Sequence, residues 1–154
     1  MVTRRWSWIA LVALLVTGSV TLRADSLPFV RGNISGLELC PQSVCGAAIF
    51  TGLFAGQVGF NPAALGTMAV AVTHEDLPPP HQTAAITGGV WQISLIGRTI
   101  RGVVTGGSLY NNGDNTFRVV VGMCITGGGL GTLSFSGTLS HAVFPPTIKG
   151  RISQ

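Results

Sequence analysis

The chain has 154 residues, with 9 Lys+Arg against 5 Asp+Glu, 22 Gly, 8 Pro and 3 Cys. That length suits one ordinary domain, and 9% charged residues is far below the roughly 25% of an average chain. A hydrophobic fraction of 46% excludes a disordered charged tail, and the glycines and prolines would interrupt the helices of a bundle.

Met1-Val2-Thr3-Arg4-Arg5 precedes a nearly unbroken apolar run from Trp6 to Val16, followed by small residues. This is the layout of a secretory signal peptide, and the run is shorter than the about 20 apolar residues of a membrane anchor. The expected organisation is a cleaved signal peptide over residues 1–24, a flexible entry segment over 25–30 and an all-β domain over 31–154. Gly18 is the alternative last residue of the leader. Loss of the leader removes Arg4, Arg5 and Arg23, leaving six basic residues against five acidic ones. Those six are scattered at 31, 98, 101, 118, 149 and 151, so no patch suggests nucleic acid. The mature chain is expected to be secreted or periplasmic, without a transmembrane helix.

Cys40 and Cys45 flank Pro41-Gln42-Ser43-Val44. In an oxidising compartment a disulfide closing this loop is the simplest reading, with Cys124 left as a small buried hydrophobe. A bridge from Cys124 to either partner is the alternative. The C-x4-C spacing is not that of a redox pair, and no second ligand pair stands at zinc spacing.

Gly46 to Phe60 reads as a glycine-interrupted strand bent at a barrel corner. Asn61-Pro62-Ala63-Ala64-Leu65 suggests one short helical turn, with Asn61 as cap and Pro62 in the first position. Beyond it the pattern is strand-like, alternating with period two. Met68, Val70 and Val72 share one face, as do Trp91, Ile93 and Leu95. Further on, Phe117 to Ile125, Leu133 to Leu139, and Ile148 with Ile152 repeat the theme against Ser, Thr, Lys and Arg. Glu75 to Thr83, with three prolines, is the longest loop. Asn112-Gly113 marks a turn, Gly127-Gly128-Gly129 a hairpin between antiparallel neighbours, and Pro145-Pro146 a strand entrance. Thr-Gly-Gly, at 87–89, 105–107 and 126–128, reads as a way of ending strands. About eight strands result, giving a single antiparallel all-β domain, with a small closed barrel favoured over a two-sheet sandwich. Closure also accounts for the few charges guarding strand edges.

The run Cys124-Ile125-Thr126-Gly127-Gly128-Gly129-Leu130-Gly131 resembles the G-G-x-G hairpin of dirigent and allene-oxide-cyclase-like barrels. The resemblance covers under a tenth of the chain, implies a barrel, and transfers no functional residue.

Chemistry-bearing residues are sparse. His74, Glu75 and His81 could hold a divalent ion or act as an acid–base pair, if the loop folds back through His81. The bland alternative is an exposed polar loop, and His141 joins only if its strand end lies at the same rim. No nucleophile elbow, phosphate cradle or well-separated carboxylate pair is present, and no cofactor is implied. The leading expectation is an exported binding or interaction module for a glycan, a cell-envelope component or a small apolar molecule. An outer-membrane or self-assembling structural protein is the second reading, and a small barrel enzyme using the His74/Glu75/His81 loop the third. A continuous apolar cavity within the barrel would favour a lipophilic ligand; a filled core would favour surface contacts.

Overall fold

A computed structural model describes residues 29–126 and 131–154. The expected leader and the glycines at 127–129 lie outside these residues. The elements in chain order are β1 (Val30–Cys40), α1 (Gln42–Cys45), β2 (Ala48–Val58), β3 (Asn61–His74) and β4 (Thr83–Leu95). They continue as β5 (Arg98–Asn111), β6 (Thr116–Ile125), β7 (Thr132–Ser140) and β8 (Thr147–Ser153). Each strand pairs with the next in antiparallel sense, and β8 returns to β1 through Gly32↔Ile152 to Leu37↔Thr147, so the sheet is a closed eight-stranded barrel. Closure leaves no strand edge to guard. This settles barrel over sandwich.

The period-two faces fall where the sequence places them. Phe117, Val119, Val121, Met123 and Ile125 are all buried, as are Met68, Trp91, Ile93, Leu133, Phe135, Leu139 and Ile152. Outward positions on β6 to β8 carry Arg118, Ser134, Ser136, Thr138, Lys149 and Arg151, while β2 to β5 expose Leu53, Leu65, Val90 and Val103.

Glycine has a packing role inside this wall. Gly102 lies directly opposite Trp91, and a Cβ there would stand 1.8 Å from the Cys124 carbonyl oxygen and 2.8 Å from the indole. The indole fills that space and donates its Nε1–H to the Val103 carbonyl at 3.2 Å, so its polar atom is satisfied in an apolar interior. On the facing wall the Phe135 ring covers Gly137 and Gly150 in the same manner, at 2.6 and 2.5 Å from their virtual Cβ positions.

Two local expectations are corrected. Asn61 to Leu65 is the start of β3, not a helical turn: Ala55 and Gly56 of β2 pair with Leu65 and Ala64, and this ladder outweighs a one-turn helix that would bury nothing. The Asn61 side chain instead accepts the Ala63 N–H at 3.1 Å. Thr87-Gly88-Gly89 and Thr105-Gly106-Gly107 lie inside β4 and β5, not at their ends. The pairing there jumps from Ile86↔Gly107 to Gly89↔Val104, with φ of 151° at Gly89 and 144° at Gly106. The glycines kink one long hairpin, as a strand must where it curves round a small barrel.

Candidate functional site: a barrel hollow at one end

The two ends of the barrel differ. The β2–β3 and β4–β5 connections, the end of β6, the start of β7 and both ends of the barrel sequence meet at one end, where Phe54, Trp91, Ile93, Ile152 and Val30 are almost wholly buried and fill the interior. At the other end the interior opens into a cavity of about 290 Å3. Its walls are inward residues of every strand, among them Ile34, Phe50, Met68, Ile86, Val121, Met123 and Phe135. That size stands at the small end of ligand pockets, and the composition, an apolar wall with few polar groups, is theirs.

The mouth is built from loops tied down by specific bonds. The Cys40–Cys45 disulfide, with Cα atoms 6.1 Å apart, closes the loop carrying α1, and Gly46 ends that turn in the left-handed region at φ 73°. Pro41, Gln42 and Ser43 therefore lie across the rim. The Gln42 amide donates to the His74 carbonyl at 2.6 Å and accepts the His74 N–H at 2.7 Å, which continues the β3 ladder with a side chain. The β3–β4 loop is pinned by the Asn111 amide, which donates to the Pro78 carbonyl at 2.8 Å. It contributes Asp76 and Leu77 to the rim.

The structure separates the three residues considered for a metal. His74 lines the mouth, with its Nδ1 against the Glu75 carbonyl oxygen. Glu75 turns outward, and its carboxylate accepts the Ala85 N–H at 2.9 Å. The His81 ring stands over the β5–β6 turn at Gly113. Among the described residues no group of three or more His, Cys, Asp or Glu side chains is close enough to hold a metal ion.

His141 does share the rim with His74, and its partner is a residue the sequence reading passed over. Glu38, the only buried charged side chain among the described residues at 8% exposure, reaches the mouth from β1. Its Oε2 lies 3.3 Å from His141 Nε2, yet Nε2 is buried and makes no hydrogen bond. The imidazole is steadied by the Phe117 ring, with centroids 5.3 Å apart. The signal for Glu38 is parity: it falls in phase with Val30, Ile34 and the inward glycines of β1.

Cys124 carries a free thiol and is half-buried. It projects from the outer face of β6, out of phase with Met123 and Ile125, and so does not join the core as a buried hydrophobe.

Fold and site together define an up-and-down β-barrel, filled at one end and hollow at the other. No protein-family model, curated protein or solved structure matches the chain.

Proposed function

We propose that this protein is an exported binding barrel that holds a small, mainly apolar molecule in its open half. The observation that carries the reading is the cavity itself: about 290 Å3 lined by aliphatic, aromatic and methionine side chains, with a polar rim at one end. A barrel with no ligand role has no need to leave such space unfilled, since voids in a core cost stability. Export to an extracellular or periplasmic compartment is supported by the basic-then-apolar leader and by the Cys40–Cys45 disulfide.

The apolar interior argues against an outer-membrane barrel. Membrane barrels turn apolar residues outward and polar ones inward; here the interior is apolar, and on β6 to β8 Arg118, Lys149 and Arg151 point out among serines and threonines, while β2 to β5 expose Leu53, Leu65, Val90 and Val103. The enzyme reading built on His74, Glu75 and His81 lacks an assembled site, because those side chains serve different partners.

Calorimetric titration with hexanol, octanol and decanol tests the proposal. Saturable binding at one site per chain is expected, with the negative heat-capacity change of apolar burial, and with loss of binding in Val121→Phe, which fills the chamber. Absence of saturable binding across the series, or binding untouched by Val121→Phe, would overturn it.

A further inference from the structure

The rim carries a buried carboxylate whose ion-pair partner is a histidine. Glu38 is more than nine-tenths buried, its side chain 7% exposed, and no described residue donates a hydrogen bond to its carboxylate. Burying a carboxylate is costly unless it is hydrogen-bonded as well as paired. The one ion-pair partner of Glu38 among the described residues, His141 Nε2, makes no hydrogen bond to it, which leaves room for a ligand donor. The neighbouring His141 Nε2 is buried and makes no hydrogen bond. Glu38 Oε2 and His141 Nε2, 3.3 Å apart, thus stand together at the mouth of an apolar chamber. Asp76 adds a second carboxylate to the lining, and no Lys or Arg contributes to it. The basic residues of β6 and β8 point outward.

We infer that Glu38 and His141 form the head-group site of the chamber, and that its ligand is a small primary amine bound as the ammonium, its hydrocarbon part in the hollow. The inference rests on the chamber being the ligand site. A primary ammonium has three N–H donors in different directions, so one can reach Glu38 Oε2 while the others remain for the rim and solvent. An alcohol has a single donor and no charge. A carboxylate would meet Glu38 and Asp76 as like charges, with no Lys or Arg in the lining to offset them. Charge-assisted hydrogen bonds in a water-poor site are the stronger kind, so the ammonium gains where the alcohol does not.

The test compares octylammonium, octanol and octanoate, whose hydrocarbon chains are closely similar, by calorimetry on the barrel at neutral pH. Octylammonium is expected to bind about tenfold more tightly than octanol, with octanoate the weakest. Glu38→Gln, which keeps the shape and removes the charge, is expected to bring octylammonium down to the affinity of octanol and to leave octanol within about twofold. The ranking on the unsubstituted protein needs no variant to fold. If octanol or octanoate equals or exceeds octylammonium, or if Glu38→Gln folds and leaves the ammonium preference intact, the head-group assignment falls while the chamber stands. If none of the three binds, the chamber reading falls and this inference falls with it.

Discussion

Phe50 and Phe54 provide an internal comparison, because both point inward from β2 and differ mainly in which half of the barrel they occupy. Phe54 is 1% exposed in the filled end, with its ring 2.7 Å from the position a Cβ on Gly32 would take. Phe50 is 8% exposed and forms part of the chamber wall. Truncation to alanine removes the same atoms in each case. At Phe54 it costs the transfer energy of the ring plus a cavity term of about 24 cal/mol per Å3, since the packed surroundings relax only in part. The sum is about 4 kcal/mol, within the usual range for Phe→Ala in a core. At Phe50 the new space merges with a chamber already open at its mouth, so the cavity term largely vanishes. What remains is the transfer energy, about 2 kcal/mol. Urea denaturation of both variants, with slopes compared to confirm that the unfolding transition is unchanged, should place Phe54→Ala about 2 kcal/mol below Phe50→Ala. Equal losses, or a larger loss at Phe50, would refute the division of the barrel into filled and hollow halves.

Gln42→Ala removes the two bonds that hold α1 to the end of β3; the His74 amide is expected to exchange with solvent about tenfold faster, with little change in the thermal midpoint, and unchanged exchange would contradict the described clasp. Asp114 is fully exposed, but its carboxyl is held below its ordinary pKa of 3.8 chiefly by the Thr116 hydroxyl, which donates to Oδ1 together with the Thr116 N–H. A lowered folded-state pKa means that this contribution is present above the unfolded value and is lost as pH falls through the folded one. An NMR titration should therefore place the Asp114 midpoint below 3.8, and Thr116→Val should raise it; a midpoint that ignores the substitution would rule out the hydroxyl as the main cause. Thiol titration of the unfolded, unreduced protein should find one free thiol per chain, Cys124, and three after reduction; three before reduction would refute the disulfide.

The sequence carried the walls of this fold but only part of its site. Alternation alone sorted Met68, Trp91, Phe117 to Ile125 and Leu133 to Leu139 onto the inner face, because period two is a local property that every residue of a strand must obey. The kinks at Gly88-Gly89 and Gly106-Gly107 were not legible, since a glycine inside a strand and a glycine ending one look alike until the partner strand supplies the register. At β3 the Asn-Pro start was a plausible helix cap locally, and only pairing with β2 overrode it. Glu38 was hidden by its neighbours. Leu37 and Leu39 point outward, at 39% and 64% exposure, so β1 inverts there the rule that apolar residues face in. His141 was visible as a candidate, but its place depended on which strand ends share a rim, and that follows from closure between β8 and β1.

The central claim is that one end of the barrel is a ligand chamber. The most direct measurement is a methyl NMR titration with octanol. Shifts are predicted at Met68, Ile86, Val121 and Met123, which line the hollow end, with Ile93 and Ile152 in the filled end unaffected. Shifts confined to the outward residues Leu53, Leu65 and Val90, or none at saturating octanol, would contradict the account.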